Sequence, residues 1–134
     1  METTRFTVDT SGRLVTDLTE AVVGFARERG GDGLLNVFLP HATCGVALME
    51  TGSGSEGDLE AALDALLPPD DRYRHRHGST GHGRDHLLGL FIAPSLTLPV
   101  EGGEVVLGTW QSVVLVDTNR ENDRRHVVLS LLRG

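Results

Sequence analysis

Polar and apolar residues alternate along "TRFTVDT" (residues 4–10), so Phe6 and Val8 share one face and the stretch predicts a strand. In "TDLTEAVVGFARERG" the apolar positions recur at helical spacing. Thr16 stands as the candidate N-cap, acidic residues fill the first turn and Gly30-Gly31 supplies the stop. "GLLNVFLP" reads as a buried strand ended by Pro40, and "CGVALME" as a second strand after a short turn. "SEGDLEAALDALLPP" predicts a second helix, with Ser55 as candidate cap, Glu56 and Asp58 complementing the helix dipole, and Pro68-Pro69 ending it. An irregular stretch of about fifteen residues follows, a length that compact domains usually reserve for function. Then come "SLTLPV", a turn at "EGGE", the long "VVLGTWQSVVLVD" and "RRHVVLSLL", read as three strands, with Gly108 marking a bulge or a close backbone approach. The strands are not regularly interleaved with helices. The prediction is one α+β domain over residues 1–134, with a mostly antiparallel or mixed sheet and two main helices.

Composition narrows the chemistry. Aromatics are only 4% of the chain, so the core must rest on Leu, Val, Ile and Ala. Cys44 is the one cysteine, which excludes an internal disulfide and suits a reducing compartment. "METTRFTVDT" has neither the basic nor the apolar region of a signal peptide, and no apolar run approaches the roughly 18 residues of a spanning helix. A cytoplasmic protein without membrane contact is expected. Twelve Lys and Arg against nineteen Asp and Glu leave a net charge of −7, which disfavours nucleic acid as a partner. Two basic groups break the acidic background: Arg72, Arg74, Arg76 and Arg84, then Arg120, Arg124 and Arg125. That layout fits a small anionic ligand, or else a solvated charged loop.

Four of the six histidines crowd into "YRHRHGSTGHGRDH" (residues 73–86). If residues 72–77 are extended, Tyr73, His75 and His77 face away from the arginines. One helical turn would put His82 and His86 on a common face. Either pair can share a metal through neutral imidazoles. Exposed loop histidines, or a phosphate pocket when protonated, remain open as alternatives, and His77 is expected in solvent. Arg74 or Arg84 offers the forked guanidinium that suits phosphate. In "LPHATCGVALME", His41 sits in a turn beside Thr43 and Cys44, and Glu50 ends the next strand. Cys44 reads as a small core residue rather than a nucleophile. Trp110 reads either as a core residue at a bulged strand or as pocket lining.

The segments "HATCGVALME", the "YRH…H" loop and above all "PSLTLPVEGGEVVLGTWQSVVLVD" resemble the YjbQ family, known as secondary thiamine-phosphate synthases. The resemblance spans nearly the whole chain and is most specific at Ser95, Leu98, Gly103 and Gly108-Thr109-Trp110-Gln111. It implies an α+β fold with helices on one side of a β-sheet body, and a homotrimer. The implied activity is weak thiamine-phosphate formation, joining a pyrimidine pyrophosphate to a thiazole phosphate. His41, Glu50, His75 and His86 occupy the family's motif positions. The resemblance implies that they meet in a cleft near a subunit interface, with Thr109, Trp110 and Gln111 beside them. His41, His75 and His86 would then hold a divalent metal, with His82 a possible fourth ligand. Zinc or another transition metal suits such imidazoles, and magnesium would accompany a pyrophosphate. This chain departs from the family at Met49 and His82, where Asn is usual, and at Ala93, where Gly is usual. The competing reading is a non-catalytic trimeric module that binds a metal or a phosphorylated metabolite with the same residues. In a third, purely structural reading the histidines serve only the trimer interface.

Overall fold

Alternation builds the first strand as predicted: in β1 (Glu2–Asp9), Thr4, Phe6 and Val8 turn inward while their neighbours face water. The chain continues through β2 (Val15–Asp17), α1 (Thr19–Arg29), β3 (Gly33–Phe38), β4 (Cys44–Met49) and α2 (Ser55–Leu66). A 3₁₀ turn at His82–Arg84 leads into α3 (Asp85–Phe91), followed by β5 (Ser95–Glu101), β6 (Glu104–Val105), β7 (Ser112–Asp117) and β8 (Arg124–Arg133). The computed structural model describes residues 1–75 and 78–134; Arg76 and His77, and with them the expectation of a solvent-facing His77, lie outside the described residues.

The strands form two antiparallel sheets, one of five in the order β1-β8-β3-β5-β6 and one of three in the order β2-β7-β4. One face of the small sheet (Val113 and Leu115 of β7, Cys44 and Val46 of β4) packs with α1 onto the inner face of the large sheet. Its other face, carrying Val114 and Val116, packs on Leu63 of α2 and Leu88 of α3. Strand β7 is therefore buried on both sides, which is why its sequence is a continuous apolar run rather than an alternation.

The α+β class and the antiparallel pairing agree with the sequence expectation, and five local readings change. Thr16 caps no helix: it lies in β2, paired to Leu115 of β7, and the Asp17 carboxylate accepts the Thr19 N–H at 2.8 Å at the true helix start. Ser55 is the first residue of α2 rather than its cap, and the Glu56 carboxylate accepts the Gly52 N–H at 2.9 Å. The predicted long strand is two strands in different sheets. Gly108 is no bulge but a turn, closed by its N–H to Gln111 Oε1 at 2.8 Å and by the Gln111 N–H to the Gly108 carbonyl at 3.1 Å. A third helix, α3, occupies the end of the stretch read as irregular, because Leu88 finds a buried place against the small sheet.

Gly45 makes the join between β4 and the end of α3 possible. A Cβ there would meet the Ile92 carbonyl oxygen at 2.0 Å, and the neighbouring Val46 N–H donates to the Ala93 carbonyl at 2.9 Å. Ala93 itself is exposed, so its side chain disturbs nothing. Gly45→Ala should therefore destabilise the protein by about 1–3 kcal/mol, as overpacking generally does, whereas Ala93→Gly changes stability far less. Urea unfolding midpoints of the two variants check both.

Candidate functional site

The site is assembled around residues 117–121, which leave the end of β7. Arg125 of β8 is 2% exposed and clamps Asp117 from two sides: Nε donates to Oδ2 at 2.6 Å and Nη2 to Oδ1 at 3.0 Å. The same Nη2 donates to Thr43 Oγ1 at 2.9 Å, just before β4. The Asn119 N–H donates to Asp117 Oδ1 at 2.8 Å, and the Asn119 side-chain Oδ1 accepts the Glu121 N–H at 2.9 Å. A fully paired buried charge is tolerable where a lone one is not. The turn is thus fixed from beneath.

Fixing the turn fixes the histidines. Thr118 Oγ1 donates to Asp85 Oδ1 at 2.6 Å. Asp85 is 3% exposed, and burial raises its carboxyl above the usual range against the opposing pull of the Thr118 hydrogen bond. The other Asp85 oxygen lies 3.1 Å from Nδ1 of His82, which is itself 6% exposed. Glu121 Oε2 lies 4.0 Å from the same nitrogen, and the Glu121 carboxylate also accepts the Ser79 N–H. On its far side His82 meets His86, Nε2 to Nε2 at 3.1 Å, with the rings nearly perpendicular. The His75 ring stands edge-on to His86 with centroids 4.2 Å apart. Gly83 allows that approach, since a Cβ there would come within 2.7 Å of the His75 carbonyl oxygen and 2.9 Å of Tyr73 Cβ.

Beside this corner is a cleft of about 130 Å³ lined by Thr80, His82, Arg84, Asp85, Thr118 and Arg120, among others. Arg84, expected to meet phosphate, ties α3 to α2: its Nη1 donates to Asp64 Oδ1 at 2.7 Å and to the Leu67 carbonyl at 3.1 Å. Arg120 is far more exposed and reaches Glu60 at only 3.7 Å. Arg74 is exposed.

The expected convergence is therefore partial. His75 and His86 come together, joined by His82 rather than by His41. His41 instead stacks on His126 and accepts that residue's N–H through Nε2 at 2.8 Å. Glu50 follows the far end of β4, where Met49 pairs with Ser112; the histidine corner adjoins the opposite end, where Cys44 pairs with Asp117. Five strand steps separate those ends, roughly 17 Å. Thr109, Trp110 and Gln111 are exposed at the Glu50 end, and Trp110 at 73% exposure is not a core residue. Cys44 is buried, and burial pushes its thiol up to about 12, in keeping with a core role. Among the described residues, no three His, Cys, Asp or Glu side chains are disposed to hold a metal ion by themselves. Sequence reasoning missed Asp85, Asp117, Thr118 and Glu121, and it read Arg125 as part of a basic group for an anion, whereas Arg125 is buried and paired with Asp117. The signal available was Asp85 at the third position after His82, which a helical turn brings to the same face.

Burial, then the nearby Arg125 charge, holds the His41 pKa below its ordinary value. Neutral His41 is also the form that accepts the His126 N–H. The unfolded chain therefore takes up this proton before the native one does, and the contribution is present above roughly pH 6.5 and lost as pH falls below it. His41→Gln, which keeps an acceptor but does not titrate, should reduce the loss of stability between pH 7.5 and 5.5; urea midpoints at the two pH values measure it.

A family model described as "UPF0047 protein YjbQ-like" matches residues 4–134. The UPF0047 protein Rv2556c of Mycobacterium tuberculosis is 59% identical over the full length of both chains. The UPF0047 protein YugU of Bacillus subtilis is 29% identical, with 72% of this chain and 74% of that one covered. The crystal structure of the hypothetical protein APE1520 from Aeropyrum pernix superposes with a TM-score of 0.90 at 33% identity, covering all of both chains. A YbjQ-like protein from Sulfolobus solfataricus shares the fold at a TM-score of 0.91 and 22% identity, over 99% of this chain and 97% of that one. By sequence and by fold, the chain belongs to the YjbQ/UPF0047 family.

Proposed function

We propose that the His75, His82 and His86 corner is a divalent transition-metal centre serving a small phosphorylated ligand. In this reading the chain performs the thiamine-phosphate-forming reaction that its family resemblance implies. The observation that carries the metal reading is the 3.1 Å approach of His82 Nε2 to His86 Nε2. Two nitrogens bound to one tetrahedral ion at about 2.0–2.1 Å stand roughly 3.3 Å apart, so this pair is already close to a chelating arrangement. His82 and His86 would hold the ion through Nε2, and ligand oxygens would complete the shell. Such an ion, held by these imidazoles, would supply positive charge to offset that of a departing pyrophosphate. Arg120, at the mouth of the cleft, is the residue for the outer phosphate charge. The attacking atom is the thiazole nitrogen of the substrate itself, so no protein nucleophile is required, and the inert Cys44 fits that chemistry.

A cleft of about 130 Å³ accommodates a phosphate group but not two heterocycles. The remainder of the site is proposed to come from a neighbouring copy in a homotrimer. There, Glu50 and residues 109–111 of one chain meet the histidine corner of the next, and the exposed Trp110 is the anchor. The second reading, a binding module without catalysis, is favoured by the lack of a third ligand within the described residues. Protonated imidazoles would then hold the phosphate directly.

Metal analysis by mass spectrometry on tag-free protein separates the two. The metal centre predicts near-stoichiometric metal in the wild type, lost in His75→Ala/His86→Ala; absence from both would leave the anion-binding module. Turnover of the two phosphorylated precursors, with this protein in molar excess over any contaminating synthase, tests catalysis. The shared site has its own test in co-assembled chains. Mixing inactive His86→Ala with inactive Trp110→Ala should restore about a quarter of wild-type turnover, since one in four neighbouring pairs is intact in a random trimer. No recovery would confine the site to one chain.

A further inference from the structure

The outer face of the large sheet, turned away from the core, holds a cleft of about 300 Å³ lined by Arg5, Phe6, Thr7, Pro40, His126 and Val128. Its floor follows from the register of β1 on β8. Thr7 pairs with His126 and Arg5 with Val128, so these four side chains share one face. His126 follows the buried Arg125 in an alternating strand, and its own side chain therefore points outward. His41 closes the end of the cleft. Its ring stacks on His126 with centroids 5.6 Å apart, and its Nε2 accepts the His126 N–H at 2.8 Å, which ties the segment carrying Pro40 to β8.

The cleft has one fixed positive charge and no counter-charge. None of its lining residues is acidic, and among the described residues the Arg5 guanidinium forms no ion pair or hydrogen bond. Thr7 Oγ1 and His126 Nδ1 stand 3.2 Å apart. Whichever of the two donates, one donor hydrogen is left over: the His126 Nε2–H when Thr7 donates, the Thr7 hydroxyl hydrogen when His126 does. Pro40 and Val128 add an apolar wall. A forked cation, one neutral donor and an apolar wall suit a singly charged carboxylate on an apolar body, whereas a phosphate dianion would find only one cation. The volume stands at the lower end of the range for small-ligand pockets, about 300–1,000 Å³. We propose that this cleft binds a small monocarboxylate with an apolar body. Arg5 holds the carboxylate, and the Thr7 and His126 pair donates its spare hydrogen to it. The cleft shares no lining residue with the one beside the histidine corner, so the inference does not rest on the metal-centre reading.

The test is a ¹H–¹⁵N correlation titration of the full chain with benzoate, beside its neutral counterpart benzamide and inorganic phosphate, at about pH 7.5, where free histidine is neutral. The expected result is a saturable shift of the Arg5, Thr7, His126 and Val128 amides with benzoate, and binding of benzamide about 10-fold weaker for want of the charge-assisted contact. Arg5→Gln should weaken benzoate about 10-fold, and Arg5→Lys less, because lysine keeps the charge without the fork. Thr7→Val and His126→Phe should each cost little, since either leaves one donor in the cleft. The double variant removes both and should lose about 10-fold. His75→Ala/His86→Ala should bind benzoate as the wild type does. The absence of a saturable shift at these amides, equal affinity for benzamide and benzoate, or tighter binding of phosphate than of benzoate would overturn the inference. The wild-type titrations decide this even should a variant fail to fold. Undiminished benzoate affinity in a folded Arg5→Gln protein, or its loss in the folded double-alanine variant, would overturn it as well.

Discussion

The ion pair between Arg125 and Asp117 is the constraint on which the rest of this structure depends. Both groups are out of water, and each is satisfied by the other and by Thr43 and Asn119. The pair joins the start of β8, the end of β7 and the residue just before β4, so it crosses between the two sheets at one corner of the molecule. Removing either partner would strand a charge in the interior, at a cost of about 3–5 kcal/mol. The pairing is also directional. The guanidinium fork fixes the Asp117 carboxylate in plane, and the turn that follows inherits that orientation.

What the turn inherits it passes outward. The route from Arg125 to the surface passes from element to element: Asp117 on β7, its chain neighbour Thr118 to Asp85 on α3, then His82 on the 3₁₀ turn, and back to His86 on α3. Solvent exposure rises along the same route, from a buried ion pair to a half-exposed imidazole. The loop that carries the histidines has little apolar surface with which to anchor itself, and this chain of contacts does so instead. Arg84, read from sequence as a ligand for phosphate, belongs to the same bracing by tying α3 to α2.

Most strands were legible because their burial is one-sided and period two, as in Phe6 and Val8, or because a short apolar run closes on a proline, as at Pro40. The split of "VVLGTWQSVVLVD" was not legible, since both halves have strand composition and only tertiary pairing sends them to different sheets. Helix α3 was obscured by the glycines and histidines around it, although Leu88 supplied the apolar contact that stabilises it. Of the site, His75 and His86 were visible as a cluster in the chain. His41 was drawn in by the resemblance, while in the fold its partner is His126. The carboxylates behind His82 were invisible, because Glu121 comes from a separate connection and the reach of Asp85 depends on a turn whose helicity was itself unread.

Strand β7 has one further consequence. With alternate residues committed to two different cores, its register cannot slip by one position without exchanging Val113 and Leu115 for Val114 and Val116 across the sheet. Its six residues therefore act as a ruler. The rigid turn that presents Trp110 and the turn that supports the histidines stand at its two marks. Variation in the surrounding loops can alter what each end carries, but the spacing between them belongs to the core.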